Sequence, residues 1–211
     1  MADNYLERRE EALRSAGRTV VRRNTPSLDT LLLKNRSHRA FDISYVVARR
    51  QLDAIVSVNT KLPSGRNAQR LRFKLIEASA GGADFCRFLH FGGYLPELHL
   101  PTPGTEPQAF IVVCSTEAET PTIDIDLGIS LQSMALKAVE IGLNVLIVRA
   151  FDREAVKEAL GIDLEPLAVL AIGKGLDKIE LTEVPAGSDL RYYRKDGIHF
   201  VPKIKLEDLL V

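Results

Sequence analysis

Cysteine is scarce in this chain of 211 residues: Cys86 and Cys114 are the only two, and neither stands in a C-x-x-C pair or beside clustered histidine. That usage argues against a disulfide framework and against a structural zinc site. His90 and His99 lie nine residues apart without an acidic partner at ligand spacing, so they read as surface or packing residues, and no metal is expected. An excess of either charge is missing too. Lys and Arg number 28, Asp and Glu 28, and the bases are scattered, which argues against a nucleic-acid partner. No run approaches the roughly 18 consecutive apolar residues of a membrane span, and the charged amino terminus lacks the apolar core of a secretion signal, so a cytoplasmic location is expected. There is no Ser-His-Asp order with a nucleophile elbow and no G-x-G-x-x-G after a strand, so no catalytic pair of side chains is expected.

Two short stretches carry chemistry. In Asn35-Arg36-Ser37-His38-Arg39-Ala40-Phe41, two guanidinium groups and a hydroxyl fall within four residues. Arginine offers planar, bidentate donors to phosphate oxygens, and Phe41 can anchor the segment in a core. The second stretch is Leu62-Pro63-Ser64-Gly65-Arg66-Asn67-Ala68-Gln69. Pro63 fixes its own φ, Gly65 permits φ > 0, and Ser64, Asn67 and Gln69 add donors and acceptors suited to the edge of a heterocycle. Gly, Pro, Ser and Asn also make ordinary surface turns, so alone this loop has two readings.

Asn4 to Ala16 reads as a helix with a thin apolar side, an arm lying on a surface. Leu28 to Leu33 forms a short apolar turn leading into the arginine pair. Val47, Leu52, Ile55 and Val58 are spaced for a helix over Val46 to Val58. Leu71 to Glu77 alternates as a strand, Ala83 to Leu89 reads as a short helix, and Gly92 to Pro107, with four prolines, reads as a functional loop or lid. Ala109 to Cys114, Leu143 to Val148 and Leu167 to Ile172 are strands, and Asp152 caps a helix running to Leu160.

The long helix is Asp124 to Gly142, with Thr122 as N-cap and Asp124 and Asp126 in its first turn. Leu127, Leu131, Met134, Ala138 and Ile141 form one apolar stripe. Ile125, Ile129, Leu136 and Leu143 fall about 160 to 200° away, with Gln132 on the same side. The helix must be covered on both faces, by a second subunit or by its own domain. Towards the carboxyl terminus, if Lys203 to Leu206 is extended, Lys203 and Lys205 point the same way and could grip one phosphate. A solvated basic edge strand is the alternative.

Arg36-Ser37-x-Arg39-x-Phe41, followed after about two dozen residues by Pro63-Ser64-x-x-Asn67-x-Gln69, resembles the opening of the nitroreductase family of FMN-dependent oxidoreductases. Asp126-x-Gly128-Ile129-x-x-Gln132-x-Met134 resembles that family's dimer-interface helix. Phe151-Asp152 resembles its Phe-Asp element, which would place the backbone of Arg149 and Ala150 near the flavin N5. Arg149 departs from the small residue common there, and Arg70-Leu71 departs from the frequent Pro-Trp.

The resemblance runs from Arg36 to the end. It implies an α+β, nitroreductase-like fold with a central, mainly antiparallel sheet flanked by helices, an arm over 1–34 and an FMN-binding domain over 35–211. It implies a homodimer with the flavin at the interface, and no nucleic-acid or membrane partner. Hydride would pass from NADH or NADPH through FMN to an oxidised small-molecule acceptor such as a nitroaromatic or quinone; the alternative is a flavin-binding or flavin-handling protein without turnover. The cofactor-binding set is then Arg36, Ser37, His38, Arg39, Pro63, Ser64, Gly65, Asn67, Gln69, Gln132, Arg149, Ala150, Lys203 and Lys205, with the flavin itself carrying the chemistry.

Overall fold

Four runs dense in apolar residues pair into one antiparallel sheet in the computed structural model, which describes residues 26–211. They are β1 (Leu71–Ile76), β2 (Ala109–Ser115), β3 (Asn144–Val148) and β4 (Glu165–Gly173), in the order β1-β2-β4-β3. The helix expected over Asn4 to Ala16 lies outside the described residues. All of β2 and nearly all of β4 are buried, whereas the edge strand β1 alternates. Inner strands covered on both faces need continuous apolar sequence, which is what these two have.

The period of two divides the core. Ile111 and Val113 face one layer with Leu170, while Phe110, Val112 and Cys114 face the other with Ala171. The first layer is covered by α2 (Arg49–Val56, continuing as a 3₁₀ turn over Ser57–Lys61) through Leu52 and Ile55, and by α4 (Pro121–Glu140) through Leu127, Leu131, Met134 and Ala138. The second holds Phe41, α3 (the single turn Gly82–Phe85) with the 3₁₀ turn Cys86–Phe88, and α5 (Arg153–Leu160). Both cysteines are buried in this layer without a disulfide, and burial pushes each thiol up to about 11.

The long helix starts earlier than the sequence suggests. Thr120, not Thr122, is the N-cap: its side chain accepts the Ile123 N–H, and Pro121 takes the first helical position, where a missing N–H costs nothing. Asp126 is therefore past the first turn, and it is buried. The stripe from Leu127 to Ala138 packs inward as expected. On the opposite side Ile125 is 64% exposed and Ile129 and Leu136 are half-buried. Leu143 does not belong with them. Gly142, at φ +77°, turns the chain back, and Leu143 enters the core.

A second sheet, in the order β5-β7-β6, contains β5 (Lys178–Val184), β6 (Tyr193–Lys195) and β7 (Ile198–Ile204); β5 and β7 are parallel, β6 and β7 antiparallel. Asp196 and Gly197 both have positive φ, as a tight hairpin requires. Among the described residues no helix is long and apolar enough to cross a membrane.

Candidate functional site

The arginine-bearing segment follows α1 (Leu28–Lys34) and runs along the free edge of β3, where the His38 N–H donates to the Val145 carbonyl at 3.2 Å and Ser37 bridges Val145. Phe41, 1% exposed, is its anchor. Gly173 lies so close that a Cβ there would meet the Phe41 ring at 2.9 Å, so the aromatic and the glycine fit as a pair. Asp177 fixes the backbone. Its Oδ2 accepts the N–H groups of Arg39 at 2.6 Å and Ala40 at 3.0 Å, and its Oδ1 accepts from Arg194 Nη2 at 2.5 Å. With a side chain only 6% exposed, the carboxylate is stabilised by these three charge-assisted or backbone contacts.

Above this segment opens a cavity of about 330 Å³. Arg36, Ser37 and Arg39 form one wall. Gln132 of α4 contributes another, hydrogen-bonded to Asn35 Nδ2 at 3.3 Å. The third comes from β7, whose alternation brings His199, Val201 and Lys203 to the same face. Among the described residues no carboxylate lines the cavity, and none of Arg36, Arg39 and Lys203 is ion-paired. Arg36 Nε, Arg39 Nε and His199 Nδ1 are buried and have no hydrogen-bond partner among the described residues. Unpartnered buried polar atoms are rare in folded proteins. Of the six such atoms among the described residues, these three belong to residues lining this cavity, and the others are His38 Nδ1, Arg70 Nη1 and Asp126 Oδ2.

Two residues expected here lie elsewhere. Strand β7 ends at Ile204 and the chain turns into a 3₁₀ helix over Leu206–Asp208, so Lys205 leaves the cavity and its ammonium lies 3.7 Å from Glu207. His38 is 8% exposed and packs under the segment, within hydrogen-bond distance of Asn144 and 3.9 Å from Asp177. A Cβ at Gly175 would meet its ring at 2.1 Å, which shows how tightly the ring is seated. Burial holds its pKa below the ordinary value, against the opposing pull of Asp177.

The Pro63 loop faces a different cavity, of about 350 Å³, to which Pro63, Ser64, Gln69, Asp126 and Ser130 contribute. The Gly65 N–H donates to Asp126 Oδ1 at 2.8 Å, and a Cβ on Gly65 would lie 2.5 Å from Thr122 Cγ2. Glycine is thus needed for close approach to α4 rather than for a left-handed backbone. The positive φ values fall instead at Arg66, Asn67 and Gln69. Asn67 and Gln69 hydrogen-bond each other at 3.2 Å, and Ser64 Oγ accepts the Gln69 N–H at 3.2 Å, so the loop is internally braced. Gly65 and Asn67 support the loop but do not line this cavity.

Arg149 and Ala150 line neither cavity. The Arg149 guanidinium pairs with Glu119 and lies 3.5 Å from Asp124, and the Ala150 carbonyl accepts the His90 N–H at 2.9 Å. Within one chain, then, the expected residues fall into three separate groups, with Lys205 in none of them and His38 buried beneath the first. Asp177, Tyr192 and His199, absent from the sequence-based set, belong to the first. Tyr192 and His199 stand in the segment Tyr192 to Pro202, whose strand pairing supplies the face that the sequence alone left undefined.

Residues 95–174 match the model of the Nitroreductase family. No curated protein sequence matches the chain. Among solved structures, a nitroreductase family protein from Streptococcus pneumoniae TIGR4 is 15% identical with a TM-score of 0.60, the similarity covering 73% of this chain and 93% of that one. One from Clostridium novyi NT is 20% identical with a TM-score of 0.58, covering 72% and 87%. An FMN and NADPH-dependent nitroreductase from Sphigopyxis sp. strain HMH is 21% identical with a TM-score of 0.57, covering 72% and 89%. The resemblance read from the sequence is borne out, and the fold is the α+β fold of this family.

Proposed function

We propose that this chain, similar in fold and over residues 95–174 in sequence to the nitroreductase family, is an FMN-dependent oxidoreductase that passes hydride from NADH or NADPH to an oxidised small molecule such as a nitroaromatic or quinone. The observation that carries this reading is the convergence of Arg36, Arg39 and Lys203 on a cavity that no carboxylate lines among the described residues. That donor set fits a phosphate monoester, which carries about two negative charges. When bound, the flavin supplies hydride acceptance and delivery. The chain's own residues do the holding: Arg36, Ser37, Arg39 and Lys203 grip the phosphate. The Ser64 hydroxyl and the Gln69 amide, which line the second cavity, offer hydrogen bonds to the polar edge of a ring.

The Pro63 loop and the cationic cavity open as separate spaces in one chain. A homodimer brings the loop of one subunit to the cavity of the other. The exposed Ile125, the half-buried Ile129 and Leu136, and the exposed Leu28, Leu32 and Leu33 of α1 support such a contact. The test is spectroscopic. Protein reconstituted with FMN should show flavin bands that bleach when NADH or NADPH is added without oxygen, and should recover them on addition of a quinone. Flavin that binds but does not bleach would leave a flavin carrier; no binding would remove the reading.

A further inference from the structure

Arg39 is held differently from its neighbour Arg36. Its guanidinium carbon sits 4.5 Å from the centroid of the Tyr192 ring, and its Nη1 lies 3.1 Å from the Ser37 carbonyl and 3.4 Å from His199 Nε2. Tyr192 is itself braced. The Tyr94 N–H, in the proline-rich loop, donates to its hydroxyl at 3.3 Å, the Tyr94 ring meets it edge-on at 5.4 Å, and the His199 ring lies 5.1 Å away on the cavity side of β7.

We infer that Tyr192 and His199 are positioning residues that fix Arg39 in advance for the phosphate group of the ligand. A free arginine carries large rotamer freedom, and ordering it only when the ligand arrives weakens binding. Here the ring face and the imidazole hold the guanidinium before the anion arrives. The imidazole can do so only as an acceptor, because the guanidinium has nothing but donors. His199 Nε2 must therefore carry the lone pair and Nδ1 the proton. The surroundings keep that tautomer neutral: His199 is 3% exposed, and burial with the nearby Arg39 and Arg194 charges and His38 lowers its pKa to about 4, against the opposing Asp177. Arg39 Nε is buried and has no hydrogen-bond partner among the described residues.

This inference rests on the phosphate reading of the cavity, and the experiment separates the two. Affinities for FMN and for riboflavin, which lacks the phosphate, are measured by fluorescence titration on wild type, Arg39→Ala, His199→Phe, His199→Gln, Tyr192→Leu and Tyr192→Phe. The positioning role predicts that His199→Phe and Tyr192→Leu each weaken FMN about fivefold, the scale of one partly exposed cation–π or neutral hydrogen-bond contact. Riboflavin affinity should not move, which a general loss of structure would not allow. His199→Gln, which retains an acceptor, and Tyr192→Phe, which retains the ring, should bind FMN within about twofold of wild type. If Arg39→Ala loses FMN while His199→Phe and Tyr192→Leu do not, the positioning role is wrong and the phosphate reading stands. If wild type binds riboflavin as tightly as FMN, both fall. Should His199→Phe fail to fold, the two tyrosine variants decide.

Discussion

Lys203 and Lys205 have the same chemistry and opposite surroundings. Lys203 faces the cavity from β7, whereas Lys205 stands past the last strand residue beside Glu207. A charge-assisted contact to phosphate is worth roughly 1.5 to 3 kcal/mol. Lys203→Ala or Arg36→Ala should therefore weaken FMN by about tenfold or more, and Lys205→Ala by less than about twofold, in equilibrium titrations. His199 adds a dependence on pH. Its folded pKa, lowered to about 4, lies below the unfolded value of about 6.5, so as pH falls the unfolded chain takes up the proton first. The stabilisation is fully present above pH 6.5 and is lost between there and about pH 4. His38 works in the same direction. Urea melts of the protein without ligand at several pH values should show this fall, and His199→Phe should flatten it; an unchanged slope would contradict the burial argument. The arginine pair was legible in the sequence because two residues so close in one segment stay together on folding, whereas the lysine pair is split where β7 ends. Asp177 was not, since nothing local marks a carboxylate that works on backbone more than a hundred positions earlier.

Elements were legible where one period dominates. The continuous apolar runs of β2 and β4 and the stripe of α4 read directly, because burial on two faces or one face leaves different patterns. Ends were harder. Lys203-Ile204-Lys205-Leu206 keeps its alternation past the point where β7 stops, since a 3₁₀ turn can begin without breaking polarity. Asp196-Gly197 is a strong hairpin signal, which pairs β6 with β7 and sets His199 opposite Arg194. At α4, two threonines compete for the cap, and Pro121 decides between them by taking the first helical position. Thr120→Ala should cost about 1 kcal/mol of stability in chemical denaturation, and Thr122→Ala at most a few tenths. Equal costs would place the cap wrongly.

At the scale of the whole molecule, the proposed homodimer would join the two cavities of one chain into one flavin site. Ile125, Ile129 and Leu136 form an incompletely covered face of α4, and Gln132 from the same side of that helix lines the cationic cavity. In the proposed homodimer, contact between two such faces would set the interface beside the proposed phosphate site. A carboxylate at Leu136 would be desolvated without a partner in that interface, so Leu136→Asp should shift sizing chromatography towards monomer and lower the flavin-to-protein absorbance ratio together. A folded monomer with a full complement of FMN would show that one chain suffices. Beneath the assembly lies the claim that the cationic cavity holds a phosphate, and equilibrium dialysis of the wild-type protein against FMN and riboflavin tests it most directly. The charge-assisted contacts from Arg36, Arg39 and Lys203 predict that FMN binds at least about a hundredfold more tightly, with the difference shrinking as salt rises. Affinities within about threefold of one another, insensitive to salt, would contradict it.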